Sequence, residues 1–319
     1  MKLIKTSPPF IKSGKSQSAS MKRMIVCLGL ALIYAVFFFG LRLLVNAIIS
    51  IIICEFCELI VSGLVRLPNT AKDLSAIVTA LIIVLLLPAA VPLWLILIAD
   101  AFAVFIAKAV FGGLGHNPFN PSACAIAFIT VCWPKYIFRY PTVPQMLPVF
   151  SADLSKVTYG SSVLAYLNAG GVAPYRLSDI FFGAVPTAAG TGCGLLLLAC
   201  FIYLSVKRTI HWRITAAFLL TFTLLSAVLP RAGLWYISAF SEVFSGYLLF
   251  AAVFMLTDPS TSPKSDIGGI IYGVICAIAV ILMRRYGIYE ESLCFALIIC
   301  NAIAPTLDRW VASIPERRL

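Results

Sequence analysis

Carboxyl groups set within apolar sequence are the first residues of this chain able to do chemistry. Asp100, in WLILIADAFAVFIAK, lies deep in an apolar run, and Glu55, Glu58 and Glu242 lie in or beside others. An Asp at the centre of a membrane helix costs about 2.5–3.5 kcal/mol on insertion scales unless it is neutralised or faces a polar cavity. Each is therefore a candidate for an ion or proton pathway; the competing reading is a protonated or hydrogen-bonded carboxyl packed between helices. Cys54 and Cys57, in CEFC, share a helix face and supply half of a tetrahedral metal site. The chain has no companion pair, so a metal there would need a second subunit, and no metal site is expected within one chain. All ten cysteines fall in or beside apolar segments, where a thiol packs as a small hydrophobe.

Two further stretches interrupt the apolar pattern with Gly, Pro and Asn: FGGLGHNPFNPS at 111–122 and LTDPSTSPKSDIGG at 256–269. Non-helical backbone at membrane depth is tolerated only where protein or a polar cavity satisfies its amides and carbonyls. Both are candidate site-forming segments, with Asp258 near a broken helix end; an ordinary aqueous loop is the alternative.

The elements that must position these residues follow from composition. Of 319 residues, 61% are hydrophobic and 12% charged, against about 45–50% and about 25% in soluble domains. There are too few charges to cover a water-facing globule, so the expected class is an all-α polytopic membrane protein. A net charge of +11 then reports membrane orientation rather than nucleic-acid binding. Ten apolar segments approach the about 20 residues needed to cross the hydrocarbon: Met24–Phe39, Leu43–Val65, Leu74–Leu87, Leu93–Phe111, Pro121–Trp133, Phe182–Val206, Ile214–Leu229, Ile237–Leu256, Ile267–Met283 and Leu293–Pro305. The third and fifth are short, which makes the expected count eight to ten.

The basic tail, 1–23, lacks a small-residue cleavage site after its apolar run, so the first span is expected to be uncleaved. With the tail cytoplasmic, sixteen Lys and Arg fall inside and eight outside, the latter including Arg284 and Arg285, and both termini are expected in the cytoplasm. The chain divides into that tail, a first transmembrane half (24–134), an extracytoplasmic loop (135–178), a second half (179–308) and a C-terminal cytoplasmic tail (309–319). A five-span block duplicated in tandem inserts its second copy upside down, the inverted-repeat architecture of many transporters with broken helices. Parity permits that architecture here.

The run DLSAIVTALIIVLLLPAAVPLW, then FGGLGHNPFNPS, AVFMLTDPSTSP at 252–263 and RRYGIYEESLCFALIICNAIAPTLDR at 284–309 resemble the D subunit of Rnf-type electron-transport complexes and, more distantly, the B subunit of sodium-pumping NADH:quinone reductase. The resemblance runs in order through nearly the whole chain. It implies a bacterial inner-membrane subunit, working with other Rnf complex subunits, that couples electron transfer between ferredoxin and NAD to Na+ or H+ translocation. It also implies FMN joined through its phosphate to a hydroxyl on the extracytoplasmic side by a flavin transferase. The family's acceptor motif reads close to Ser-Gly-Ala-Thr. The corresponding stretch here is Tyr159-Gly160-Ser161-Ser162, which makes Ser162 the acceptor and Ser161 or Thr158 the fallbacks. Lys156 stands where family members carry an acid, and Asp153 lies further upstream; in the sixth span, Pro186 to Cys193 lacks a carboxylate found in the family. Aromatics near the loop (Tyr136, Phe138, Tyr140, Tyr159, Tyr166) can stack on a flavin ring or form an interfacial belt. A second, noncovalent flavin between the helices is left open.

The chain has no GxGxxG fingerprint at a strand-to-helix turn and no ferredoxin-like cysteine series. It is not expected to be catalytic alone; NADH or ferredoxin must react on partner subunits. The competing classes are a non-redox transporter or channel of the same fold and a flavin-free scaffold subunit. Expected partners beyond the complex are the transferase and membrane lipid, with no nucleic acid.

Overall fold

The computed structural model describes residues 14–65, 74–113, 115–149 and 157–313. Asp153 and Lys156 of the loop, and the charges Arg66, Lys72, Arg317 and Arg318, lie outside the described residues. In chain order, α1 (Gly14–Phe39) and α2 (Arg42–Val65) pair, α3 (Ser75–Leu86) stops short, and α4 (Leu93–Ala101) widens into a π-helical stretch, Phe102–Lys108, before a 3-10 turn and α5 (Pro121–Cys132). The loop contains α6 (Pro134–Ile137), the antiparallel strands β1 (Tyr140–Pro141) and β2 (Tyr159–Gly160), and α7 (Val163–Asn168). The second half runs α8 (Leu177–Phe182), α9 (Gly194–Val206), α10 (Trp212–Val228), α11 (Trp235–Phe244), α12 (Leu248–Phe254), α13 (Asp266–Tyr286) and α14 (Leu293–Ser313).

Among the described residues, five helices are long and apolar enough to cross a membrane, and α11 with α12 forms a sixth crossing bent by 50°. The shorter apolar helices are α3, α5, α9 and α10, so each of the ten expected segments has its helix. This is an all-α polytopic membrane protein. Exposed Ile33, Phe37, Ile52, Phe56, Leu220 and Leu224 give α1, α2 and α10 apolar outer faces, as lipid contact demands. By contrast α3 is apolar all round and buried along its length except at Ile77, the pattern of a helix enclosed by others.

The turns sort onto two ends. At one end, Gln145 and Leu147 donate backbone N–H bonds to Phe38 O and Phe39 O, and Arg42 Nη1 donates to Pro148 O at 3.0 Å. The loop therefore lies over the α1–α2 turn. At the other, Arg23 Nη1 donates to Lys207 O at 2.9 Å, and Asp308 accepts from the N–H groups of Lys264 and Ser265. The helix starts at Gly14, inside the stretch assigned to the basic tail, and α14 runs past residue 308 to Ser313.

Two expected spans differ from the continuous helices the sequence suggested. Phe182–Val206 contains only α9; before it, residues 183–193 run as irregular backbone carrying Gly183, Pro186, Gly190 and Gly192. These donors serve a neighbour: Gly190 N–H bonds Leu85 O at 2.8 Å and Ala189 N–H bonds Leu87 O at 3.1 Å, satisfying carbonyls that the end of α3 leaves open. Gly190 is required there, since a Cβ would lie 2.5 Å from Leu85 Cβ. Ile237–Leu256 is likewise broken, between α11 and α12, where Gly246 takes φ +66.

Candidate functional site

At the end where Arg23 meets Lys207, the two Gly/Pro/Asn stretches face one another. Asn120 caps α5, its side chain accepting from Ala123 N–H at 3.1 Å, while Pro121 fills the first helical position and needs no donor. The same Asn120 donates through Nδ2 to Asp258 Oδ2 at 3.4 Å, and Asn117 Nδ2 donates to Ser260 Oγ at 3.5 Å. Asp258 is held in its turn by Ser260 N–H and Oγ. Between them lies a small cavity, with about 60 Å³ of room for the centres of water-sized molecules and part of it open to the outside. Polar walls come from Ser75, Thr79, Lys108, Asn117, Asn120 and Asp258, and apolar walls from Met21, Met24, Val78, Ile82 and Phe254.

Lys108 links this cavity to the interior. The π-helical stretch that ends α4 is a wide turn of the kind found at functional positions, and it leaves Lys108 buried. The ammonium pairs with Glu58 of α2 and donates to Ser75 Oγ at 2.5 Å. Further in, Asp100 is fully buried and accepts from Ser50 Oγ at 2.9 Å. Cys54 and Cys57 lie beside it in an apolar cluster with Ala76, Ala80 and Val104, and Glu55 on the same helix is half-buried.

At the opposite end, Ser162 is the N-cap of α7 and 8% exposed. Its Oγ accepts from Ala165 N–H at 3.0 Å and donates to Glu290 Oε2 at 2.5 Å. Glu290 belongs to the α13–α14 turn. Burial pushes its carboxyl up to about 7; the Ser162 hydrogen bond opposes that rise and the neighbouring Glu291 adds to it. Tyr289, next in sequence, stacks between Phe138 and Phe295, with ring centroids 5.9 and 5.7 Å away. Ser161 is exposed, Thr158 Oγ1 lies 2.7 Å from Thr142 Oγ1, and Gly160 passes so close to Pro186 that a Cβ would sit 2.6 Å from its ring.

Beneath this lies a buried ion cluster. Arg284 donates to Glu291 Oε2 at 2.8 Å and to Glu242 O at 2.8 Å; Glu291 also accepts from Tyr247 N–H at 2.8 Å. Arg231 joins Asn168, at the end of α7, to Arg284 O. Glu242 accepts from Ser226 Oγ at 3.5 Å.

The structure thus brings Ser162 together with an acid and an aromatic column, and Asp258 together with Asn120. Asp100 and Asp258 occupy separate polar groups. Of the loop aromatics, Phe138 enters the column; Tyr136 packs edge-on to Trp94, Tyr166 edge-on to Tyr175, Tyr159 lies under Arg139 and Tyr140 is buried. Sequence reasoning missed Glu290, Glu291 and Lys108. RRYGIYEE carried a signal, since two acids separated by four residues from two arginines across a short turn are placed for charge compensation. Arg284, an apparent cost to the orientation rule, is neutralised by Glu291.

The chain matches the NQR2, RnfD, RnfE family over residues 4–315. It is 31% identical to the D subunit of the Na(+)-translocating ferredoxin:NAD(+) oxidoreductase complex of Acetobacterium woodii, across 97% of this chain and 94% of that one. It is also 30% identical to the D subunit of the ion-translocating oxidoreductase complex of Haemophilus influenzae, across 95% of each, and 28% identical to the protein of the same name in Halorhodospira halophila, across 95% and 92%.

Proposed function

Because the chain belongs to the NQR2, RnfD, RnfE family, we propose that it is the membrane subunit of an Rnf-type complex coupling electron transfer between ferredoxin and NAD to Na+ or H+ translocation, and that it carries FMN esterified to Ser162. Its partners are the other subunits of that complex, a flavin transferase and the lipid of a bacterial inner membrane, with both termini cytoplasmic. The observation that carries the flavin reading is the Ser162 hydroxyl, hydrogen-bonded to the carboxyl of Glu290 beside the Phe138–Tyr289–Phe295 column. A serine needs a neighbouring base to become a nucleophile, and flat aromatic faces suit a flat tricyclic ring.

Bound flavin supplies one- and two-electron transfer. The residues of this chain do the rest: Ser162 anchors, the aromatic column offers a face to the ring, and Arg139 over Tyr159 steadies the hairpin at 3.8 Å. The walls of the cavity at the other end support a second, noncovalent flavin at its open mouth. The Asn117 and Asn120 amides match a ring edge of alternating donors and acceptors, and Met21, Met24 and Phe254 match its apolar end. Cation movement runs past Asp100, Glu55 and Asp258, with Lys108 and Glu58 between the cavity and Asp100.

Coexpression with the transferase, denaturation, in-gel flavin fluorescence and mass spectrometry of the 157–176 peptide test the reading. A fluorescent band with FMN mass on Ser162, lost in Ser162→Ala, is expected; a dark band with an active transferase refutes it. A flavin-free subunit of the same fold is the second reading, favoured by the 8% exposure and capping role of Ser162. It expects copurification with redox partners, no colour and electron transfer untouched by Ser162→Ala.

A further inference from the structure

The acid that touches the acceptor hydroxyl comes from far away in the chain. Ser162 and Glu290 are 128 residues apart, and the residues just before Ser162 are Lys156, Val157, Thr158, Tyr159, Gly160 and Ser161, none of them acidic. Glu290 is held in place on both sides: Tyr289 is stacked in the aromatic column, and Glu291 is tied by Arg284, Tyr247 N–H and Leu293 N–H. Such a fixed turn presents one carboxyl oxygen to Ser162 Oγ.

Resting on the reading of Ser162 as the flavin acceptor, we propose that Glu290 is the base that takes the Ser162 proton during attachment. The donor is a flavin adenine dinucleotide delivered by the transferase. Ser162 Oγ forms a bond to the flavin-side phosphorus, the pyrophosphate bond to the adenylate side breaks, AMP leaves, and the hydroxyl proton passes to Glu290. No oxidant or reductant is involved. Charge at the site is conserved: before the step it resides on the Glu290 carboxylate, and afterwards on the phosphodiester, with Glu290 neutral and able to donate to it. That balance matters in a pocket where Glu291 already contributes a carboxylate. A carboxyl held near neutrality by burial is matched to this task. The other titratable groups facing it are Glu291 on its own turn, with Arg284 beyond, Tyr140 on the hairpin and Tyr247 at the α11–α12 break.

The test follows the FMN adduct on the 157–176 peptide over time. Membranes carrying the full chain are incubated with transferase, FAD and Mg2+, and the rate is ratioed to a second acceptor protein modified by the same transferase. Glu290→Gln keeps an acceptor oxygen for the Ser162 hydroxyl but cannot take its proton. The expected result is a rate about 100-fold lower, with AMP release falling in step, and partial recovery in Glu290→Asp. In the wild type the ratioed rate rises with pH through about 7, and Glu290→Gln removes that rise. Adduct formation in Glu290→Gln at the wild-type rate, or a flat wild-type profile, overturns the proposal while leaving Ser162 as acceptor. Absence of adduct on wild-type Ser162 overturns the flavin reading and this proposal with it. The wild-type profile decides the matter even if the variants fail to fold.

Discussion

The two ends of the bundle solve the problem of placing polar groups in an apolar protein differently. At the cavity end, polar side chains come from stretches that break helices, and they bond one another across open space: Asn120 to Asp258, Asn117 to Ser260. At the loop end, the Arg284–Glu291 pair is sealed, essentially without exposure. One arrangement leaves room for a ligand; the other leaves a single hydroxyl poised against a carboxyl. Under the function proposed above, binding and covalent attachment ask opposite things of the fold. A bound ligand needs space with partners around it, whereas an attachment point needs one atom held still.

Four changes put that contrast to the test. The largest effect is expected from the sealed end: Arg284→Met leaves the Glu291 carboxylate without its cation and should cost about 3–5 kcal/mol, read as a lower melting temperature in detergent or as lost yield. Arg284→Met with Glu291→Gln should recover most of it. Lys108→Met at the cavity end should cost less, because Glu58, unlike Glu291, lines a small pocket partly open to the outside. Equal losses for the two variants would erase the distinction between an open and a sealed end. Gly246→Ala comes next. A Cβ there would sit 2.0 Å from Glu291 Oε2, so melting should fall sharply, while alanine at open Gly29, with nothing within 4 Å, should be neutral.

The third change separates the sites by function. Asn120→Ala removes a helix cap worth about 1 kcal/mol and the bond to Asp258; acid-extractable flavin should fall while the covalent band stays. Ser162→Ala should do the reverse. Loss of both flavins in either variant would mean that the two ends are one cooperative unit. The smallest effect is expected from pH. Glu290 holds its proton in the folded chain up to about 7, above the unfolded carboxyl's ordinary value, so its contribution to stability is full below that ordinary value and is lost as pH rises through about 7. Melting temperature should drift down over that window, and Glu290→Gln should flatten the drift.

Much of the cavity end was legible in the sequence because its signals are local. Gly, Pro and Asn at 111–122 and 256–269 mark broken backbone wherever they occur in apolar sequence, and Asp100 announced its depth by the eighteen or so apolar neighbours a span requires. The loop end was legible only through resemblance, and there only as far as Ser162. Its partner Glu290 arrives by tertiary packing, and no periodicity links two residues so distant. Lys108 was hidden for another reason: read as an ordinary α-helical end it is one more cytoplasmic charge, and only the π-helical widening leaves it buried against Glu58 and Ser75. The sixth span misled because apolar composition says where backbone is buried and says nothing about whether it is helical.

The bonds from Gly190 and Ala189 to the end of α3 bear on how the molecule can move. Twelve residues of α3 rise only about 18 Å, short of the about 30 Å of a bilayer core, and a backbone bond broken in hydrocarbon finds no water to replace it. These bonds stitch the two halves together within the bundle, and Arg23 to Lys207 and Asn120 to Asp258 join them again at the cavity end. A motion that widened the cavity would therefore have to part the Asn120–Asp258 and Asn117–Ser260 contacts before it strained the bonds at α3, so the cavity rim is the seam that yields first.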